Sequence, residues 1–208
     1  MTEIAANHKK VGLMGGSFDP IHYGHLNLAE IVYRKLELET IVFIPTFIAP
    51  HKIGREYASA EHRYRMTLLA TSDNPAFTVS DIEIRREGIS YTYDTVAALK
   101  EEYGHGHDLF FIIGADSLAD LDTWSKVPEM LELCTFVAAT RPGFEPMVDK
   151  ITEQFGELGK TRIKWLQTPK MDISSTDIRQ RVKQQRPITG LVPAAVEEYI
   201  YQEGLYRL

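Results

Sequence analysis

Val11-Gly12-Leu13-Met14-Gly15-Gly16-Ser17-Phe18-Asp19-Pro20-Ile21-His22-Tyr23-Gly24-His25 is the stretch from which the fold is read. The short apolar run Val11 to Met14 predicts a buried strand. Gly15 and Gly16 then let the backbone turn sharply and approach a ligand closely. A helical stretch follows from about Gly24 to Leu36, with Leu28, Val32 and Leu36 at four-residue spacing on one face. Strand, glycine turn and helix N-terminus in that order place free N–H groups and a positive dipole end at the strand's carboxyl end, a natural anion site.

The same alternation continues outward. Thr40 to Ile44 reads as a second strand, and Ser59 as the N-cap of a helix through Ala70, with Glu61 in its first turn. Phe77 to Ile84 alternates apolar and polar and is expected to be a half-buried strand. Tyr93 to Tyr103 predicts a helix ended by Gly104, and Leu109 to Ile113 a strand buried on both faces. Thr135 to Ala139 and Arg162 to Leu166 read as further strands, Ser175 to Gln184 and Pro193 to Gln202 as helices. The expected fold is α/β, a doubly wound parallel sheet of Rossmann-like type, with residues 1–208 forming one domain. Ligands of such sheets bind at the strands' carboxyl ends. Attention therefore falls on Gly15 to His25, Pro45 to Lys52, Gly114 to Asp116, Thr140 to Gly143 and Met171 to Arg179.

Composition narrows the partners. The chain has 208 residues, 44% hydrophobic, enough for a sizeable core. A formal net charge of −6 gives no general attraction for nucleic acid or anionic membrane, so an anionic ligand needs a local site. No apolar run approaches the length of a membrane span, Met1 to Lys10 lacks a signal-peptide apolar region, and the expected location is the cytoplasm. The one cysteine, Cys134, stands in the apolar stretch Leu131 to Ala139 and reads as core packing. No motif encodes an oligomeric state; a homodimer is compatible with the sequence.

Two constellations carry chemistry. His22 and His25, three apart at the loop's end and the helix start, can aim nitrogen donors at one anion. They could also ligate a metal, but no third ligand stands nearby to complete a zinc site. Ile173-Ser174-Ser175-Thr176-Asp177-Ile178-Arg179 opens the penultimate helix. Its hydroxyls suit an N-cap, its free N–H groups suit phosphate, and Arg179 offers a planar fork. Three further positions stay open on their own chemistry. Lys52 is either a phosphate ligand or a solvated loop lysine, Trp124 either packs in the core or stacks on a flat ring, and Asp116 suits a ligand hydroxyl or magnesium.

The segment Gly15 to His25 resembles the signature of the nucleotidyltransferase superfamily with a His-x-Gly-His motif. Its Gly-Gly-Ser-Phe-Asp-Pro-Ile-His-Tyr-Gly-His-Leu form most resembles bacterial nicotinate-nucleotide adenylyltransferases, many of which carry Thr in place of Ser17. Ile173 to Arg179 resembles the second superfamily signature, so the resemblance spans nearly the whole chain. It implies transfer of AMP from ATP to nicotinate mononucleotide, with magnesium accompanying ATP. It also implies Gly15, Gly16, Ser17, Phe18, His22, His25, Arg141, Ser174, Ser175, Thr176 and Arg179 on the ATP side. Ser17, Lys52, Tyr91, Thr92, Asp116 and Trp124 would be on the acceptor side, with His22, His25 and Lys52 as the catalytic group. No protein side chain is expected to ligate the metal, which would be held mainly through ATP. Phosphopantetheine or nicotinamide mononucleotide as acceptor, and a nucleotide-binding protein without turnover, are the competing readings.

Overall fold

The structure is a computed structural model that describes residues 8–50, 58–114, 117, 121–140, 150, 151, 153–169 and 172–207. Six strands form one sheet: β1 (Lys9–Gly16), β2 (Thr40–Pro45), β3 (Phe77–Val79), β4 (His107–Gly114), β5 (Thr135–Thr140) and β6 (Ile163–Gln167). Every pairing is parallel and the order is β3-β2-β1-β4-β5-β6. The chain therefore steps outward from β1 in one direction, then restarts beside β1 with β4. The switch point lies between β1 and β4, and the crevice of a doubly wound sheet opens there, at Gly15, Gly16 and Gly114.

Period-two alternation explains why the central strands are apolar throughout. Val11 and Leu13 of β1, with Phe111 and Ile113 of β4, face one buried cluster; Met14, Phe110 and Ile112 face the other. The first face is covered by α4 (Thr92–Tyr103), α5 (Val127–Leu133) and α6 (Gly156–Arg162). The second is covered by α1 (Tyr23–Leu36), α2 (Ala60–Thr71), α7 (Ser175–Lys183) and α8 (Ala194–Gln202). Among the described residues no helix is long and apolar enough to cross a membrane. Cys134 is buried between α5 and β5, where burial pushes its thiol up to about 12, the behaviour of a packing residue.

One expected element is corrected. The alternation Phe77 to Ile84 is strand only over Phe77–Val79; a short helix α3 (Ile82–Arg86) takes its second half. Ser80 Oγ accepts from the Ile82 N–H at 3.3 Å, and Asp81 accepts from Arg85 both through its carbonyl (2.8 Å) and through its carboxylate (2.9 Å). These local bonds start a helix where alternation alone suggests a strand.

Arg63 fixes the carboxyl ends of β1 and β2 relative to one another. It lies on the buried face of α2 with Met66 and Thr67 and is 4% exposed. Its guanidinium donates to the carbonyls of Ser17 (2.8 Å), Thr46 (2.6 Å), Phe47 (2.9 Å) and Ala58 (3.0 Å). No other side chain offers that many fixed donors in one plane. Arg63→Met is expected to lower the unfolding free energy by about 3 kcal/mol or more, because buried carbonyls lose their donors. Arg63→Lys should recover only part of it. Urea unfolding of both variants checks this, and a loss below about 1 kcal/mol in Arg63→Met would remove Arg63 from this role.

Candidate active site

The loop after β1 is built around close contacts that few residue types allow. Phe18 adopts φ 47°, left-handed for a non-glycine residue, and is buried. Its ring meets His25 edge-on, with centroids 5.1 Å apart. His22 is the N-cap of α1, and its ring stacks on that of His25 at 3.8 Å and 25°. The turn between them must be glycine: a Cβ on Gly24 would sit 2.8 Å from His22 Nδ1 and 2.9 Å from its Cε1.

A hydrogen bond orients His25, and burial sets the charge of His22. His25 Nδ1 accepts from the backbone N–H of His22 at 3.3 Å, the half of a capping box usually made by Glu or Gln. An imidazole that accepts through Nδ1 carries its proton on Nε2, so His25 presents Nε2–H as a donor. Burial drives the His22 imidazole down to about 4, against the smaller opposing effect of a backbone hydrogen bond, so it is neutral at pH 7.

The second motif is fastened directly to the first. Ser174 caps α7, its Oγ accepting from the Asp177 N–H at 3.1 Å. Ser175 Oγ donates to the Pro20 carbonyl at 2.9 Å. Arg179 Nη1 donates to the Asp19 carbonyl at 2.7 Å, and its Nη2 to Thr176 Oγ1 at 3.2 Å. His22 and His25 therefore share one crevice edge with the first turn of α7; a Cβ on Gly24 would also stand 3.6 Å from the Ile173 carbonyl.

The positions expected on the acceptor side approach from two directions. Tyr91 is the exposed N-cap of α4 and Thr92 its first residue. That helix start is tied to the segment after β2: Ser90 N–H donates to the Ile48 carbonyl at 2.9 Å, and Phe47 N–H donates to Ser90 Oγ at 3.2 Å. Behind it lies Glu83, buried, accepting from Thr95 Oγ at 2.7 Å; burial raises its carboxyl above the usual carboxylate range. Trp124 is partly buried, edge-on to Phe111 at 6.2 Å, and Phe111 in turn lies against Gly15. Lys52, Asp116 and Arg141 lie outside the described residues.

Three residues of this region have structural roles that the motifs do not reveal. Arg63 lies on a helix whose weak amphipathic pattern gives no local signal. Asp19 stands inside the first motif, yet only the fold reveals that its carboxylate is 2% exposed and takes a hydrogen bond from Tyr206 Oη at 2.7 Å. Tyr206 itself, near the chain's end, has no local pattern to mark it.

The pattern of the cytidylyltransferase-like family matches residues 13–181. A protein of Moorella thermoacetica named "Probable nicotinate-nucleotide adenylyltransferase" is 50% identical over 201 residues, covering 95% of this chain and 92% of that one. A Desulfitobacterium hafniense protein of the same name is 45% identical over 207 residues, covering 99% of each. Among solved structures, the Plasmodium falciparum nicotinic acid mononucleotide adenylyltransferase complexed with NaAD has a TM-score of 0.78 at 21% identity, over 96% of this chain and 98% of that one. It shares the fold. With half of its residues identical to a relative along nearly its whole length, the chain belongs to the nicotinate-nucleotide adenylyltransferases within the cytidylyltransferase-like family.

Proposed function

We propose that the chain joins the AMP moiety of ATP to nicotinate mononucleotide, forming deamido-NAD and releasing pyrophosphate, with residues 1–208 acting as one nucleotidyltransferase domain. The observation that carries this reading is the direct fastening of the two motifs, Ser175 to Pro20 and Arg179 to Asp19, across a parallel sheet's switch point. A triphosphate there meets neutral N–H donors from one motif and a guanidinium with helix-terminal N–H groups from the other.

An oxygen of the acceptor's 5′-phosphate attacks the α-phosphorus in line, and the bond from that phosphorus to the β-phosphate oxygen breaks. No covalent enzyme intermediate forms. A phosphate monoester is mostly dianionic at neutral pH, its second pKa being about 6, so the nucleophile needs no general base. The chain's task is to bring two anions together and to stabilise charge on the reacting oxygens. His25 Nε2–H donates to the α-phosphate, with His22 and the backbone around Gly15, Gly16, Ser17 and Phe18 beside it. Arg179, Thr176 and the first-turn N–H groups of α7 hold the β- and γ-phosphates. Ser174 and Ser175 contribute by building that turn, since their hydroxyls cap α7 and bind Pro20. Lys52 faces the phosphates and acts with the two histidines, and Arg141 serves the ATP side. Ser17, Tyr91, Thr92, Asp116 and Trp124 receive the mononucleotide, Trp124 with its ring beside Phe111. Magnesium would be held mainly through the triphosphate and water, and would neutralise charge on ATP.

Three outcomes follow. Pyrophosphate release from ATP should proceed with nicotinate mononucleotide at rates well above those with nicotinamide mononucleotide or phosphopantetheine, tested in parallel. A preference for either of the others would overturn the acceptor. His25→Ala should lower kcat by on the order of a hundredfold, the scale of one lost oxyanion donor; near-normal turnover would refute its role. The third concerns His22, which takes up a proton at 6.5 in an ordinary setting and at about 4 in the fold. Between those values the unfolded chain binds more protons than the folded one. Stability is complete above about pH 6.5 and is lost as the pH falls towards 4. Between pH 7.5 and 4.5 the unmodified chain should lose about 2–3 kcal/mol more than His22→Gln in urea titrations. Equal losses would mean that His22 is not the buried neutral group.

A further inference from the structure

A carboxylate that is almost wholly buried must be compensated on both oxygens. Asp19 Oδ1 is well served, accepting from Tyr206 Oη at 2.7 Å and from the Ala58 N–H at 3.2 Å. Asp19 Oδ2 has no hydrogen-bond partner among the described residues, and stands 3.8 Å from Arg179 Nη1. That distance is unusual for a buried carboxylate beside a guanidinium, because the two groups match as a bidentate pair. Here the guanidinium donates instead to the Asp19 carbonyl and to Thr176 Oγ1, and its side chain keeps 29% of its surface exposed.

Tyr206 is held in place by the end of α8. The chain reverses at Gly204 (φ 64°), the Leu205 N–H donates to the Ile200 carbonyl at 3.0 Å, and Tyr206 follows in the left-handed region at φ 63°. Leu205 and Tyr206 pack against the buried cluster beneath α1, α2 and α7. Burial, and then the adjacent Asp19 charge, push the phenol far above its ordinary value, so it remains a hydrogen-bond donor at every working pH.

We propose that Tyr206, 187 residues along the chain from Asp19, is a positioning residue for triphosphate binding: its hydroxyl, donating to Oδ1, weakens the pull of the carboxylate on the guanidinium that faces Oδ2 and thereby leaves Arg179 for the phosphates. The inference rests on the reading of Arg179 as a triphosphate ligand. Without the hydroxyl, the buried charge of Asp19 draws the guanidinium from 3.8 Å into a closed pair, and the fork turns away from ATP.

Steady-state kinetics of Tyr206→Phe, which keeps the ring and removes the donor, test this. The KM for ATP should rise about ten- to a hundredfold, the scale of one charge-assisted hydrogen bond. The kcat at saturating ATP and the KM for nicotinate mononucleotide should stay within about twofold. A purely structural role would instead move both KM values together, or lower kcat. Asp19→Asn removes the charge that competes for Arg179, so adding Tyr206→Phe in that background should leave the KM for ATP unchanged within about twofold. The double variant no longer buries an uncompensated charge, so it reports even if Tyr206→Phe alone is unstable. An unchanged KM for ATP in Tyr206→Phe, or effects of Tyr206→Phe that are equal in both backgrounds, overturn the proposal. Arg179→Ala separates the two readings. If it leaves the KM for ATP unchanged, the assignment of Arg179 fails; if it raises that KM while Tyr206→Phe does not, only the role of Tyr206 fails.

Discussion

The hydrogen bonds from Ser175 to Pro20 and from Arg179 to Asp19 join residues 155 and 160 positions apart, and the rest of the crevice depends on that junction. Two such bonds do not bring the ends of so long a loop together, since the neutral one is worth about 0.5–1.5 kcal/mol net and the guanidinium one about 1.5–3 kcal/mol. The work is done by packing. Ile178 and Val182 of α7 are buried in the cluster beneath α1 and α8, each contributing about 1.5–3 kcal/mol. Apolar burial sets where α7 lies, and the polar bonds choose its register, so that the Ser174 cap and Arg179 face the loop bearing His22 and His25.

Charge is handled with similar economy. The chain is acidic as a whole, yet the crevice is built from cations and N–H donors around one buried carboxylate. Arg63 and Arg179 are both close enough to pull the Tyr206 phenol downwards, while Asp19 pushes it up. Arg63 spends its donors on backbone carbonyls, so its positive charge stays under the loop without competing for a ligand. A buried charge pair gains little net stability once desolvation is counted. The sense of this cluster is therefore specificity of arrangement: it fixes which groups have donors left to give.

Much of this was legible in the sequence because it is local. Continuous apolar runs mark the central strands, and the glycine turn followed by His-x-Gly-His marks the carboxyl end of β1 and the start of α1. The cap at Ser174 was likewise read from residue type and confirmed by its bond to the Asp177 N–H. What escaped reading depends on partners far along the chain or on weak local signals. Phe77 to Ile84 carries a valid alternation, and only the bonds around Ser80 and Asp81 turn its second half into a helix. Arg63 stands on a helix with little amphipathic pattern, so its burial shows only when four carbonyls are seen to converge on it. Tyr206 is a tyrosine near the end of the chain, and its meaning exists only once α8 carries it to Asp19.

The choice of histidines follows from what the crevice must avoid. Two rings stacked at 3.8 Å cannot both be cationic without strong repulsion, and burial removes the charge from His22. Under the proposed reaction, a lysine in either place would attract a triphosphate equally well before and during reaction, which tightens binding without speeding the chemistry. A neutral N–H held by a ring stack, an edge contact with Phe18 and a backbone bond is different. Its direction is fixed by the fold alone, and under the proposed reaction such a donor would favour the geometry in which charge gathers on the reacting oxygens. The left-handed turn at Phe18 and the glycine at position 24 are conformational costs met at folding, and what they secure is that fixed direction.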